Sequence, residues 1–354
     1  MMIAFFVNSI DSEYPRYTTT VLAHEASSRG HDVCYLTPGD FVLSPDDTLQ
    51  VHARIIPAAK GKGKNASRSR DDFFKALKTA GRKTKLISME DIDVLMLRND
   101  PSNDAGERPW AENVGIQFGR RAAEAGVLVL NDPDTLSLAI NKLYFQSFPR
   151  EVRADTLITR FTSDVKAFAK KHGGNIVLKP LQGSGGQGVF VVNSKSSGNL
   201  NQMTEAIQRD GYMIAQAVVP EADKGDIRLF LMNGWPLQIE GKYAAMRRVG
   251  AEDDVRSNIH AGGTAKPAKI TERELRLAEL IRPKLQADGM FLVGIDIIGD
   301  TILEVNVFSP GNLHTCSEMA GVNFASMIIQ SIERKLEIRD EYPGQFTNAQ
   351  LAVM

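Results

Sequence analysis

The stretch LKPLQGSGGQGVFVV, residues 178–192, restricts the possible fold more than any other part of the chain. Its glycines Gly183, Gly185 and Gly188 have the spacing G-x-G-x-x-G, which in dinucleotide-binding proteins lies between a strand and a helix. Here the apolar run VFVV, which is typical of a strand, follows the glycines directly. This order argues against a dinucleotide site and predicts a glycine hairpin between two strands.

The residues around this hairpin also argue against two other phosphate loops. A P-loop needs Lys-Ser or Lys-Thr after its last glycine, whereas Val189 and Phe190 stand there. A protein kinase needs V-A-I-K, H-R-D and D-F-G motifs further along, and the sequence contains none of them. What remains is a hairpin that covers phosphates, with Lys179 on the strand before it. A hairpin that is rich in glycine for its turn geometry alone is the other interpretation.

A second hairpin is predicted from the segment MFLVGIDIIGDTILEVNVFSPG, residues 290–311. Apolar residues alternate with others in both halves, so that each strand has one apolar face. A turn of three residues, Gly299 to Thr301, pairs Ile297 with Leu303 and Asp296 with Glu304. A turn of two residues would instead put the two carboxylates on opposite faces. The apolar pattern therefore favours the three-residue turn.

This hairpin brings together oxygen ligands. The expected register places Asp296, Glu304 and Asn306 on one face of the sheet. Neighbouring carboxylates repel each other unless a cation lies between them. Carboxylate and amide oxygens suit Mg²⁺, with water and substrate phosphates completing its coordination. The sequence thus predicts a magnesium site, and a solvated polar face is the alternative.

The length and the hydrophobic pattern predict several domains, because a single core rarely exceeds about 250 to 300 residues and the chain has 354. A β-α-β start and buried apolar runs predict an open α/β domain over residues 1–140. After residue 140, short strands mixed with helices predict an α+β region with antiparallel pairs. Residues 341–354 are expected to form an irregular surface tail.

Composition narrows the classes of function. The net charge is −1 and 24% of the residues are charged, so the chain as a whole lacks the electrostatic signature of a nucleic-acid-binding protein. Only two cysteines occur, Cys34 and Cys316, which are too few for a disulfide framework or a thiolate zinc site and fit a cytoplasmic protein. No run of about 18 apolar residues is present, so we expect no membrane span. Residues 60–85 contain ten Lys or Arg, and we expect a mobile, solvated loop there.

Taken together, Lys179, the glycine hairpin and the D-x₇-E-x-N carboxylates resemble the ATP-grasp superfamily. Within it the chain is similar to the prokaryotic glutathione synthetases over roughly residues 1–335. The stretches that carry this resemblance are IVLKPLQGSGGQGVF, KGDIRLFLMNGWPL, VRSNIHAGG, FLVGIDIIGD, LEVNVFSP, VLMLRNDP and VLNDPDTLSLAINKL. It implies an ATP-grasp fold, with a small lid domain at residues 141–217 and a C-terminal domain with the metal site at 218–340. It also implies an ATP-dependent ligase that phosphorylates a carboxylate to an acyl phosphate, which an amine then attacks. In this family γ-glutamylcysteine is joined to glycine.

The resemblance also implies roles for individual residues. It assigns Lys142, Lys179 and the glycines Gly183, Gly185, Gly186 and Gly188 to the ATP phosphates and their surroundings. It assigns Gln216, Ala217 and Val219 to the adenine pocket, Asp226 to the ribose, and Asp296, Glu304 and Asn306 to Mg²⁺, for which Mn²⁺ is a possible substitute. It assigns Arg228, Arg248, Arg256 and Asn258 to the acyl phosphate or the substrates. Partners are expected to be small molecules, with neither nucleic acid nor membrane, and the chain is expected to form a homo-oligomer.

One departure from the family concerns the substrates. After EVNVFSP the chain reads GNLHTCSEM, where glutathione synthetases typically carry Thr-Cys or Thr-Gly followed by Arg-Glu, and that arginine is missing. This leaves the ATP chemistry intact and leaves other γ-glutamyl substrates open. A non-catalytic ATP-binding module of the same fold is the alternative from another class. Finally, residues 249–263, which glycines bracket, are expected to form a lid over the acyl phosphate.

Overall fold

The computed structural model describes residues 1–57, 68–183, 188–193, 199–209, 211–250 and 263–354. The strands are β1 Met2–Phe6, β2 Asp32–Leu36, β3 Phe41–Leu43, β4 Leu49–Ile56, β5 Lys85–Ser88, β6 Val94–Leu97, β7 Leu128–Leu130, β8 Thr156–Thr159, β9 Ile176–Pro180, β10 Phe190–Val192, β11 Met213–Ala217, β12 Asp226–Met232, β13 Trp235–Pro236, β14 Gln238–Ile239, β15 Lys242–Tyr243, β16 Ala245–Val249, β17 Thr264–Pro267, β18 Leu292–Ile298 and β19 Thr301–Asn306. The α-helices are α1 Thr18–Ser28, α2 Arg70–Ala80, α3 Val114–Glu124, α4 Pro133–Leu136, α5 Thr162–Lys171, α6 Leu200–Gln208, α7 Glu272–Ala287, α8 Leu313–Ala320, α9 Phe324–Glu341 and α10 Asn348–Ala352.

The first sheet has the strand order β3-β4-β2-β1-β6-β7, with β5 paired to β4. β1 lies parallel to β2 and β6, and β6 lies parallel to β7. The central strand β1 is an apolar run whose residues Ile3 to Phe6 are fully buried, as expected for a parallel strand covered on both faces. The predicted open α/β arrangement at the start of the chain is therefore present.

The second sheet is antiparallel, with the order β10-β9-β11-β8, and α5 and α6 pack on it. Its small core includes Val165, Ile176, Leu178 and Ile207. β9 and β10 pair with Leu178 opposite Phe190, so the glycine-rich stretch does join two antiparallel strands. Gly183 and Gly188 at the ends of that stretch have φ values of 116° and 67°, a backbone region that favours glycine.

The third sheet has the order β17-β16-β12-β18-β19, with β13 paired to β12, and all of its pairs are antiparallel. Helix α7 packs in the same core through the buried Leu277, Ile281 and Leu285. Its capping box of Thr271 and Glu274 is present, as the sequence predicts. This sheet carries the carboxylate hairpin and holds it on a rigid base.

Two predictions about the periphery were wrong. The basic segment is not a loop over its whole length, because residues 70–80 form α2, which Ser69 caps and which buries Phe73 and Leu77. The expected surface tail is instead folded. Helix α9 extends to Glu341, and α10 buries Leu351 and Ala352. Short amphipathic helices inside polar sequence give too weak a periodic signal to outweigh the local charge.

Candidate functional site

A cavity of about 140 Å³ lies between the second sheet and the hairpin of β18 and β19. It is lined by side chains and backbone from the 3₁₀ turn at Lys142–Ser147, from β9 and β11, and from the end of β19. Six of the residues that the sequence singles out line it together: Lys142, Lys179, Gly183, Gln216, Glu304 and Asn306. The glycine hairpin and the carboxylate hairpin, which are more than a hundred residues apart in sequence, therefore share one site.

Lys179 lies at the centre of this site. It sits on β9 opposite Ile214 of β11, and its Nζ donates to Gln216 Oε1 at 3.1 Å. Gln216 in turn donates from Nε2 to Thr156 Oγ1 at 3.2 Å. Burial lowers the pKa of Lys179, while the charge of Glu304 acts against this effect and the charge of Lys142 adds to it. The charges of Lys179, Lys142 and Glu304 thus act on one another across the cavity.

Lys142 closes the same side of the cavity. Its backbone N–H donates to Leu181 O at 3.0 Å, and its Nζ donates to the carbonyl oxygen of Gly183. Asn141 caps the turn by accepting from Leu143 N at 2.9 Å. These contacts place the Lys142 ammonium group at the start of the glycine-rich stretch, and together with Lys179 it gives this wall of the cavity a positive charge. Gly188 lies at the other end of the stretch, while Gly185 and Gly186 lie outside the described residues.

The carboxylate hairpin has the predicted pairing but not the predicted turn. Asp296 lies opposite Glu304, as expected. However, Ile298 pairs with Thr301 and Ile297 pairs with Ile302, so the turn has two residues rather than three. A β-bulge at Leu303 shifts the register between Ile297 and Asp296. The predicted three-residue turn was wrong. After the two-residue turn, the extra residue Leu303 in β19 is what brings Glu304 opposite Asp296.

Asp296 is enclosed by arginines. Its carboxylate accepts two hydrogen bonds from Arg228, including one from Nη2 at 2.9 Å, and it lies 2.8 Å from Arg248 Nη2. Asn306 Nδ2 donates to it at 3.3 Å. Burial raises the pKa of Asp296, but the charges of Arg228 and Arg248 outweigh this effect and lower it to about 2. Two neighbouring carboxylates need a cation beside them to offset their repulsion. The guanidinium groups of Arg228 and Arg248 supply that positive charge at Asp296.

The register of the third sheet explains this cluster. Arg228 on β12 pairs with Asp296 on β18, and Asp226 on β12 pairs with Arg248 on β16. Arg248 donates from Nε to Asp226 Oδ2 at 2.9 Å. The four side chains are all less than 8% exposed, so they form a buried network of two acids and two bases. We call these four residues the Asp–Arg network.

Some predicted site residues lie away from the cavity. Asp226 is 1% exposed and held by Arg248, and it does not line the cavity wall. Ala217 and Val219 follow Gln216 on the same strand and its extension, but they do not line the cavity either. Arg256, Asn258 and most of the expected lid, residues 251–262, lie outside the described residues. Within the described ranges no group of three His, Cys, Asp or Glu side chains could hold a metal ion.

Arg98 is a buried cation whose place the sequence did not reveal. It is 5% exposed, and burial lowers its pKa to about 10. Its Nη2 donates to Pro310 O at 3.1 Å, and its Nε donates to Thr19 Oγ1 at 3.4 Å. Arg98 thereby ties the end of β6 to the segment that follows β19. The run VLMLRNDP was the available signal, but a contact to a backbone carbonyl more than two hundred residues away leaves no pattern in sequence.

Comparison with known proteins decides the family. The model for the ATP-grasp domain of prokaryotic glutathione synthetase matches residues 141–321, and the model for the N-terminal domain of the same enzyme matches residues 1–137. The chain belongs to the prokaryotic glutathione synthetase family.

Curated members of the glutathione synthetase family align along most of this chain. Glutathione synthetase from Mesorhizobium japonicum is 32% identical over 322 residues, which cover 90% of this chain and 93% of the relative. Glutathione synthetase from Vibrio cholerae is 30% identical over 319 residues, which cover 88% of this chain and 91% of the relative.

Solved structures support the fold of this glutathione synthetase family member. The D-cycloserine synthetase DcsG superposes with a TM-score of 0.62 at 13% identity, covering 94% of this chain and 99% of that one. The ATP-grasp ligase PsnB, solved with a minimal precursor, Mg and ADP, superposes with a TM-score of 0.53 at 13% identity, covering 94% and 98%. At such identities the likeness concerns the fold alone.

The membership confirms the predicted ATP-grasp fold and the predicted class of activity. This glutathione synthetase family member is an ATP-dependent ligase that acts on small-molecule substrates. Across the described helices, none is long and apolar enough to cross a membrane.

Proposed function

We propose that this protein joins the cysteinyl carboxylate of γ-glutamylcysteine to the amine of glycine, with ATP as the source of energy. The observation that carries this proposal is the shared cavity, in which two lysines and a glycine hairpin face Glu304 and Asn306 of the carboxylate hairpin. ATP converts the carboxylate to an acyl phosphate, and the amine then displaces phosphate to form the amide. No side-chain nucleophile is needed, so catalysis rests on position and charge.

The nucleotide would occupy the cavity with its phosphates toward Lys142 and Lys179. A lysine acts on a phosphate as a point charge, and both lysines line the cavity, with the Lys142 ammonium group at Gly183 and that of Lys179 at Gln216. Gln216, followed by Ala217 and Val219, would form the edge that meets the adenine. For Asp226 we propose a different role from the ribose contact, because its carboxylate is buried against Arg248 and keeps that guanidinium in place.

We propose that Asp296, Glu304 and Asn306 hold Mg²⁺, or Mn²⁺ in its place. Their oxygen donors suit a hard divalent cation, and the hairpin register and the contact between Asn306 and Asp296 keep the three side chains together. The structure of PsnB, which contains Mg and ADP, is consistent with such a site in this fold. The metal would neutralise negative charge on the phosphates. Glu304 and Asn306 already face the cavity, while Asp296 would exchange part of its arginine contacts for the ion.

Arg228 and Arg248 would stabilise charge on the transferred phosphoryl group. Because Asp226 and Asp296 hold both guanidinium groups, their positions are set before the substrates bind. Arg256 and Asn258, which lie outside the described residues, would add contacts to the acyl phosphate. The three sheets would correspond to domains at residues 1–140, 141–217 and 218–340.

Phosphate release in the presence of ATP, a panel of γ-glutamyl peptides that includes γ-glutamylcysteine, and a panel of amines tests this function. We expect release that requires all three components, with glycine the best amine and glutathione identified as the product by mass spectrometry. A different preferred amine or γ-glutamyl donor would show a ligase with other substrates, and this remains open because the family arginine is missing after SPGNL. Binding of ATP without any turnover would show a non-catalytic module.

Two further properties follow from the family resemblance and are also proposals. We propose that the protein is cytoplasmic, as its two buried free cysteines fit a reducing compartment. We propose that it forms a homo-oligomer, which light scattering after size-exclusion chromatography would test. A mass equal to that of one chain at micromolar concentration would contradict the second proposal.

A further inference from the structure

Arg70 on α2 contacts His314 on α8, the helix that follows the carboxylate hairpin. Its Nη1 lies 2.9 Å from His314 Nδ1 and its Nη2 lies 3.2 Å from His314 Nε2. His314 lies in the first turn of α8 and is 6% exposed. The two residues are 244 positions apart in sequence, so this contact joins α2 of the first part of the chain to α8.

The surroundings of His314 favour the uncharged form of its imidazole. Burial lowers the pKa of His314, the positive charges of Arg70 and Arg16 lower it further, and Glu318 acts in the opposite direction. Neutral His314 can accept from Arg70 at Nδ1 and donate from Nε2 to Glu318, whose Oε1 lies 3.3 Å away. The guanidinium of Arg70 is therefore positioned by a neutral ring, not by a carboxylate.

Arg70 has no counter-ion within the ranges that the structure describes, because its recorded partner is His314. The position of Arg70 on α2 is also unfavourable for a positive charge. Arg70 is the first residue of α2, where the helix dipole disfavours a positive charge and favours the Asp71 and Asp72 that follow. The helix dipole therefore gives no reason for an arginine at this position.

The first turn of α8 adjoins the reactive part of the molecule. Pro310, which leads into α8, packs over Gly294 beside Arg228, since a Cβ on Gly294 would lie 2.9 Å from Pro310 Cβ and 3.2 Å from Arg228 Cδ. Cys316, two residues beyond His314, lies within electrostatic reach of Arg228. Leu313 N donates to Thr18 Oγ1 at 3.3 Å, which fixes this turn against α1.

We propose that Arg70, oriented by His314, binds a substrate carboxylate. This carboxylate is one that the reaction leaves intact, not the one that ATP phosphorylates. This inference rests on the proposed function and names a residue that recognises its substrates. Two carboxylates qualify by chemistry: the α-carboxylate of the glutamyl group and the carboxylate of the glycine acceptor. A guanidinium suits either one, because its planar donors match the two oxygens of a carboxylate.

Steady-state kinetics of Arg70→Met and Arg70→Lys test this proposal, with Lys75→Met as the matched control. Lys75 lies on the same helix with 76% of its side chain exposed and pairs with Asp72, so its loss should change little. In Arg70→Met we expect the KM for one carboxylate substrate to rise about tenfold or more, as for the loss of one charge-assisted hydrogen bond. The KM for ATP and the thermal midpoint should match those of the control, and Arg70→Lys should recover part of the loss.

The two sources of the carboxylate give different results. If the acceptor is bound, the KM for glycine rises and the enzyme loses its discrimination between glycine and glycinamide. If the glutamyl group is bound, the KM for γ-glutamylcysteine rises instead. Unchanged KM values for both substrates, or a loss of stability without a change in KM, would show a purely structural arginine and overturn the proposal.

The test of Arg70 and the test of the proposed function can fail independently of each other. If the wild-type protein turns over other substrates from the amine and peptide panel, the proposed function fails and the same comparison on those substrates tests Arg70. Calorimetry with glutathione adds a readout that needs no turnover, and we expect about tenfold weaker binding to Arg70→Met than to Lys75→Met. Equal affinity of both variants contradicts the role of Arg70, and failure of the wild-type protein to bind or use any carboxylate overturns both proposals.

Discussion

Asp296 and Glu304 lie opposite each other on β18 and β19 but have different surroundings. Asp296 is 4% exposed and is held by Arg228 and Arg248, whereas Glu304 is partly exposed and faces the cavity that Lys179 lines. A carboxylate inside a buried ion network supports the fold as well as the site, while one on a cavity wall acts mainly on what enters the cavity. The two acids should therefore respond differently to neutralisation.

Glu304→Gln should abolish most activity and leave stability unchanged. The amide keeps the shape of the side chain but removes the negative charge that a divalent cation needs, and we expect kcat to fall by about two orders of magnitude or more. Thermal unfolding and phosphate-release kinetics would be measured together, with the exposed Glu124→Gln as the control. Wild-type Mg²⁺-dependent turnover in Glu304→Gln would contradict the assignment.

Asp296→Asn should destabilise the fold itself. Loss of this charge leaves the two buried guanidinium groups of the Asp–Arg network with one carboxylate of that network, Asp226, and we expect a decrease in the free energy of unfolding of about 3 to 5 kcal/mol. Asp300→Asn is the matched control, because Asp300 lies in the turn of the same hairpin with 80% of its side chain exposed. Urea denaturation of both variants gives the comparison. Equal losses in the two would show that the Asp–Arg network contributes nothing beyond a surface ion pair.

Lys179→Met should weaken nucleotide binding. Its ammonium group is fixed by Gln216 on the cavity wall, so its removal costs one charged contact to a phosphate. We expect the Kd for ATP to rise about tenfold or more. Lys171→Met, at an exposed position on α5, is the control. An unchanged Kd in isothermal titration calorimetry would remove Lys179 from the phosphate site.

The stability of the protein should rise with pH above neutrality because of Lys335. This side chain is fully buried on α9 and donates to Asn233 Oδ1 at 2.9 Å, and burial lowers its pKa to about 7. An unfolded lysine keeps its proton to about pH 10.4, so between pH 7 and pH 10 the unfolded state binds more protons than the folded state and stability increases with pH.

One such group adds at most about 1.4 kcal/mol per pH unit to the free energy of unfolding. Denaturation of the wild-type protein and of Lys335→Met at several pH values between 7 and 10 measures this slope, and the slope should be smaller in the variant. Identical slopes would assign the pH dependence to other groups.

The parts of the site that follow from local pattern could be predicted from the sequence. The apolar run on each side of Gly183 and Gly188 places the glycines between two strands, and alternation alone puts Asp296 and Glu304 on one face. The bulge at Leu303 could not be predicted, because a two-residue turn with a bulge and a three-residue turn give the same facing residues.

Contacts between distant strands and helices could not be predicted either. The pairing of Arg228 with Asp296 depends on the register of β12 against β18, and the contact of Arg70 with His314 depends on how α2 packs against α8. Neither contact follows from the spacing of apolar residues within a single segment. Burial decided the end of the chain in the same way, because Leu351 packs into the core although the stretch RDEYPGQFTNAQ before it is largely polar.

The bulge at Leu303 also determines how the turn of this hairpin can vary. If the bulge were lost without a change in length, Leu303 would lie opposite Asp296, and Glu304 and Asn306 would turn to the other face of the sheet. A three-residue turn with a regular ladder would keep Asp296 opposite Glu304, because the extra residue would then lie in the turn instead of in β19. Homologous chains can therefore carry the extra residue either in the turn or in the bulge and keep the same chemistry.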